Sequence, residues 1–169
     1  TAHRRENLGI PLANICRSVL RLVQDHSDVE VIYPVHLNPA VRETVFQIMG
    51  DEPRIHLIDP IDVEDMHNIM SKSYLVMTDS GGLQEEGPHF GIPVVVLRTE
   101  TERPEAVEAG TVVVSGTEEN AIYNTVSELL NDQERYSEMA HAVNPYGDGH
   151  ASERIVREIL TWSKTQGLK

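Results

Sequence analysis

The residues best suited to chemistry stand together in Thr78-Asp79-Ser80-Gly81-Gly82-Leu83-Gln84-Glu85-Glu86. The apolar run Tyr74-Leu75-Val76-Met77 ahead of them reads as a buried strand, and residues 83–90, ending before Gly91 and Pro93, have the composition of a helix. Strand, glycine pair and helix start, in that order, leave free backbone N–H groups above the strand's carboxyl end, where they favour an anion. Ser80 is the expected N-cap, and Gly81 and Gly82 let the backbone approach a phosphate closely. An ordinary capped βα turn has the same signature, so the stretch depends on its neighbours. Glu86 lies four residues past Gly82, on the same helical face and one turn deeper. A carboxylate there cannot hold phosphate, but it can accept hydrogen bonds from two vicinal hydroxyls of a ribose. Its alternative is a solvated helix glutamate, and Glu85 beside it reads as one. Arg103, in Thr101-Glu102-Arg103-Pro104-Glu105, offers a fork of donors to a diphosphate. Pro104 suits the first position of a new helix and would aim that fork; a surface pair with Glu102 or Glu105 is the alternative.

Two histidines extend the set. His3 stands beside Arg4 and Arg5, whose like charges should keep the imidazole from protonating. Neutral, it can still donate to a phosphate. His36, between Val35 and Leu37, reads equally well as a satisfied loop histidine. The eight histidines are scattered, and Asp62, Glu64 and Asp65 read as a solvated helix start, so no metal-ligand spacing is present.

These side chains must be positioned by alternating strands and helices. Leu12, Ile15, Val19, Leu22 and Val23 recur at helical period and predict a helix over 11–25. Val29-Glu30-Val31-Ile32-Tyr33 predicts a strand stopped by Pro34, and Asn38-Pro39 an N-cap and first helical residue, with Val41, Val45, Ile48 and Met49 inward. A strand over 54–58 and a helix over 62–71, with Val63, Met66, Ile69 and Met70 inward, lead to the central strand. Pro93-Val94-Val95-Val96-Leu97 is apolar on both faces, the mark of a strand inside a parallel sheet, and Thr111-Val112-Val113-Val114 is similar. Thr117 is the expected cap of a helix running to 130. Helices over 132–142 and after Gly147-Asp148-Gly149, the last striped by Ile155, Ile159 and Trp162, close the chain. The pattern predicts right-handed βαβ crossovers and a doubly wound parallel sheet. In such sheets ligands sit at the strands' carboxyl ends, and the blocks at 1–7, 34–39, 78–86 and 98–106 each fall there.

Composition narrows the partners. With 169 residues, 40% hydrophobic and 24% charged, the chain has the make-up of a globular domain. No apolar run approaches the ~20 residues of a membrane span, and no signal-peptide pattern opens the chain. The net charge of −13 argues against nucleic-acid binding, and a phosphate ligand must be held locally against the long-range field. The single Cys16 cannot form an internal disulfide and suits a reducing compartment; its spacing with Leu12 and Ile15 reads as a packed thiol.

Five blocks in order carry a resemblance: Thr1-Ala2-His3-Arg4-Arg5-Glu6-Asn7, Pro34-Val35-His36-Leu37-Asn38-Pro39, Asp79 to Glu86, Arg98 to Ala106, and Asn144-Pro145-Tyr146-Gly147-Asp148-Gly149. Together they resemble the non-hydrolysing UDP-N-acetylglucosamine 2-epimerases. The likeness covers the second half of such an enzyme, and Thr1 opens on a motif without a Met, as expected of a piece of a longer chain. The resemblance implies an α/β, Rossmann-like fold, the C-terminal domain of a GT-B-type two-domain enzyme, with residues 1–169 a single UDP-binding domain and the N-terminal domain absent. It implies reversible conversion of UDP-GlcNAc to UDP-ManNAc in the bacterial cytoplasm, serving cell-surface polysaccharide synthesis, with no cofactor or metal and with a homodimer as the whole enzyme. It assigns substrate binding to His3, Ser80, Gly81, Gly82, Glu86, Arg103 and Met66, and a second, regulatory UDP-GlcNAc to Arg4 and His36. The carboxylates that move protons are expected in the other domain, so none is assigned here and the fragment alone is expected to turn nothing over. Ile61 and Met66 stand where several relatives have an amide and an aromatic residue around the uracil. The donor domain of a GT-B glycosyltransferase, a hydrolysing epimerase and a non-enzymatic UDP-sugar sensor are the rival readings.

Overall fold

The computed structural model describes residues 1–166. The first apolar stripe becomes helix α1 (Ile10–Asp25), with Leu12, Ile15, Cys16, Val19, Leu22 and Val23 buried. It is followed by β1 (Val31–Pro34), α2 (Pro39–Met49), β2 (Ile55–Ile58), α3 (Val63–Met70), β3 (Val76–Thr78), α4 (Gly81–Glu86), β4 (Val94–Val96), α5 (Pro104–Glu108), β5 (Val112–Val114), α6 (Glu119–Asn131), α7 (Gln133–Ala140) and α8 (Ala151–Thr165). Asn38 caps α2 as expected, its side-chain oxygen accepting from the Ala40 N–H at 3.0 Å.

Four local expectations change. The helix expected over 83–90 is split: α4 ends at Glu86 and a 3-10 turn, Gly87–Phe90, follows. Pro88 has no N–H to continue the ladder, and Gly91, at φ 67, closes the turn in the left-handed region that glycine adopts without strain. Glu118 rather than Thr117 precedes α6, and no side chain caps it. Val63, expected inward, is 66% exposed, because α3 buries only Met70 fully. Ile155, Ile159 and Trp162 do form a stripe on α8, yet all three are exposed.

The strands are parallel throughout, in two pieces, β1-β2 and β3-β4-β5. Thr1 and Ala2 lie between the pieces. Thr1 accepts a hydrogen bond from the Asp79 N–H at 3.2 Å, and the Ala2 carbonyl accepts from the Tyr33 hydroxyl. Two residues make only these few hydrogen bonds to each side, and packing does the rest of the work of uniting the pieces. One core joins α1, α2, α6, Tyr33 and Val35 to Val95 and Leu97, while Val94 and Val96 face the opposite way against Ala106 and Val112. β4 is therefore apolar on both faces, fully buried at all three residues, as a central strand between two layers must be.

Candidate functional site

Within each piece the strands are parallel, and residues from the loops after β1, β2 and β3 come together at one place. A cleft of about 360 Å³ opens there. His3 comes from the chain start, His36 from the loop after β1, Met66 from α3, and Ser80 and Glu86 from either end of α4; all five line the cleft. Ile61 lines it too, at the loop after β2.

Asp79 organises the entry side. It is fully buried, and its Oδ2 accepts from the backbone N–H groups of His3 (2.9 Å) and Arg4 (2.8 Å) and from the Asn7 side-chain amide (3.0 Å). Asn7 also donates to the Leu97 carbonyl at 3.0 Å, tying the same loop to the end of β4. The other oxygen, Oδ1, has no hydrogen-bond partner and lies 4.0 Å from His3 Nδ1. The His3 ring stacks on His36 at 5.0 Å between centroids, and the Asn38 N–H donates to His36 Nδ1. The His3 pKa is lowered, in the direction expected from sequence but for another main reason. Partial burial contributes most, opposed by Asp79, with His36 ahead of Arg4 among the like charges.

The glycine turn differs in detail from the sequence expectation. Ser80 occupies the N-cap position, but its hydroxyl caps nothing. Its N–H donates to the Thr78 hydroxyl at 2.9 Å and is therefore not free for an anion. The open donors begin one residue later, because α4 starts at Gly81 and its first N–H groups have no intrahelical acceptor. Arg4 and Arg103 converge here: a Cβ on Gly81 would lie 3.5 Å from Arg4 Nη2 and 3.8 Å from Arg103 Nη2. Arg103 is ion-paired with Glu85, which keeps the guanidinium charged and corrects the reading of Glu85 as merely solvated. A buried amide holds the two loops together. Gln84 donates to the Ser80 carbonyl at 3.2 Å and accepts from the Thr101 hydroxyl, which in turn accepts from the Arg103 N–H at 3.1 Å. Pro104 opens α5 as expected.

Glu86 faces the other side of the pair. A Cβ on Gly82 would lie 3.3 Å from Glu86 Oε1, while Glu86 Oε2 meets His67 Nε2 at 3.0 Å. Glu86 and Arg103 thus flank one two-residue turn. The carboxylates lining the cleft are committed: Glu86 to His67, and Asp62 to the Asp65 N–H as the cap of α3. Sequence reasoning assigned no role to Asp79, Gln84 or His67. The first two lie inside the quoted motif, where only their burial marks them out. Nothing in the sequence signals that His67 meets a glutamate 19 residues away.

Comparison with known proteins adds the following. The profile of a family described as UDP-N-acetylglucosamine 2-epimerase matches residues 1–160. The UDP-N-acetylglucosamine 2-epimerase of Bacillus subtilis is 55% identical over 160 residues, which are 95% of this chain and 42% of that protein. The chain thus spans less than half the length of the curated relatives it matches. Among solved structures, the Staphylococcus aureus MnaA–UDP co-structure superimposes with a TM-score of 0.92 at 51% identity, over 99% of this chain and 45% of that one. The UDP-GlcNAc 2-epimerase of Neisseria meningitidis bound to UDP-GlcNAc gives 0.90 at 44% identity, over 95% and 43%. The fold alone is shared with the Escherichia coli heptosyltransferase WaaC, with a TM-score of 0.54 at 14% identity, over 77% of this chain and 41% of that one.

Proposed function

The chain belongs to the UDP-N-acetylglucosamine 2-epimerase family, and from that premise we propose that it is the UDP-holding part of an enzyme interconverting UDP-GlcNAc and UDP-ManNAc. In that reaction the proton at the sugar's C2 is removed and the C1–O bond breaks with its electron pair going to UDP, leaving a 2-acetamidoglucal. UDP then adds back to C1, and a proton returns to C2 on the opposite face. The diphosphate must be stabilised as it departs and yet kept in place. One observation carries this reading: Gly81, at the open N–H groups of α4, adjoins the guanidiniums of both Arg4 and Arg103, and the next residue, Gly82, adjoins the Glu86 carboxylate. Two fixed cations and the unpaired N–H groups suit a diphosphate, helped by the Ser80 hydroxyl and by His3, which is neutral near pH 7 and can donate. Gly82 clears the space in which Glu86 accepts from the ribose hydroxyls, and Met66 with Ile61 borders the uracil. His36 lines the cleft and stacks on His3, while Arg4 reaches Gly81 at the start of α4, so a regulatory UDP-GlcNAc held by both lies beside the substrate.

In this reading Glu86 serves the ribose and Asp62 caps α3, so neither carboxylate lining the cleft is assigned to the C2 proton. The proton-transfer groups belong to the rest of the enzyme, a cytoplasmic homodimer in this reading, and the chain alone binds UDP weakly without catalysis. Titration of UDP into the chain, followed by NMR, tests the site. Arg103→Ala and Glu86→Ala are each expected to weaken binding about tenfold. Unchanged affinity in both variants removes the reading. Incubation with UDP-GlcNAc in deuterium oxide is expected to leave C2 unlabelled until the chain is joined to the other half of a family enzyme; full exchange by the chain alone contradicts the division of labour.

A further inference from the structure

The cleft has two helical walls, α3 on one side and α4 on the other, and among the described residues a single side-chain hydrogen bond joins them. His67 Nε2 of α3 lies 3.0 Å from Glu86 Oε2 of α4. A carboxylate only accepts, so Nε2 carries the hydrogen and the bond is charge-assisted. The imidazole also packs against Phe90, whose ring centroid lies 5.7 Å away at a 56° tilt, on the 3-10 turn that follows α4. His67 is thus fixed by its own helix and by an aromatic contact, while Glu86 is the last residue of a six-residue helix, with its side chain 39% exposed. A glutamate in such a place samples several rotamers unless something engages it. The bond occupies part of Oε2 and leaves Oε1 turned toward Gly82, while Glu86 itself lines the cleft.

We propose that His67 is a positioning residue: it presents the Glu86 carboxylate to the ribose hydroxyls and so sets the preference for a ribonucleotide over a 2′-deoxyribonucleotide. This rests on the nucleotide reading of the cleft and names the group that enforces one part of its selectivity. Preorganisation of an acceptor matters most where two hydroxyls must be met at once, because a mobile carboxylate pays the ordering entropy on binding.

The experiment titrates UDP and 2′-deoxyuridine 5′-diphosphate into the 169-residue chain by NMR. Wild type is expected to favour UDP about five- to tenfold. His67→Phe keeps a ring against Phe90 but removes the donor, and it is expected to lower affinity for UDP while changing that for the deoxy nucleotide less than about twofold. His67→Gln restores a donor and is expected to recover most of the preference. Equal losses for both nucleotides in His67→Phe, or an unchanged ratio, overturn the inference and leave a merely structural histidine. Glu86→Gln separates the two levels. If it too leaves the ratio unchanged, or if wild type binds neither nucleotide at millimolar concentration, the ribose reading of Glu86 fails and the inference fails with it.

Discussion

At the scale of single residues, the site turns on Asp79. A fully buried carboxylate is costly unless its oxygens are satisfied, and here one oxygen takes three N–H donors while the other has none. Asp79→Asn keeps an acceptor for those donors and is expected to destabilise by about 2 kcal/mol; Asp79→Ala strands all three and should cost more, as urea unfolding would show. The charge also acts on His3. Asp79 raises the His3 pKa against the lowering by burial, so Asp79→Asn is expected to move it further below 6.5, read from the imidazole proton shifts. Because folding lowers the His3 pKa, the unfolded chain binds the proton first as pH falls below 6.5, and stability declines there; His3→Gln flattens that decline. The sequence displayed Asp79 inside its motif but not this work. Its donors stand 72 to 76 residues away, and only the folded chain brings them to one oxygen.

At the scale of elements, short pieces do the positioning. α4 has six residues, too few to be stable by itself, and is held by what it touches. Its far end runs into Gly87, where a Cβ would clash with Val94 Cγ2 of β4. Gly87→Ala is therefore expected to cost about 1–3 kcal/mol in thermal or urea unfolding and to weaken UDP binding, since Glu86 is the preceding residue. Strands and helices were legible where an apolar stripe had a clear period, as in α1, or where a short β-branched run was apolar on both faces, as in β4. The break in the helix expected over 83–90 was less so. Pro88 was visible in the sequence, but the close approach of Gly87 to a strand seven residues later was not. Gln84 belongs to the same class: composition marks a polar helix residue, whereas tertiary structure buries it completely as the tie between the glycine turn and the Arg103 loop.

At the scale of the whole molecule, α8 stands out. Ile155, Val156, Ile159, Leu160 and Trp162 are each more than half exposed, a stripe of a kind that marks an interaction surface. No helix among the described residues is long and apolar enough to cross a membrane, so the stripe is not a span. Trp162 is the only tryptophan, and at 59% exposure its fluorescence in dilute solution is expected at long wavelength and open to acrylamide quenching. A blue-shifted, quencher-protected emission means instead that α8 is covered. What the sequence determined by itself was the class of architecture and the motif blocks on which the proposed diphosphate site rests, because hydrophobic period and motif spacing are local properties. Tertiary structure alone decided the division of the strands into two packed pieces, the pairing of Arg103 with Glu85 and the bond from His67 to Glu86. Those depend on segments distant in the chain coming together at one place, and a contact between them is set by packing geometry that no local pattern encodes.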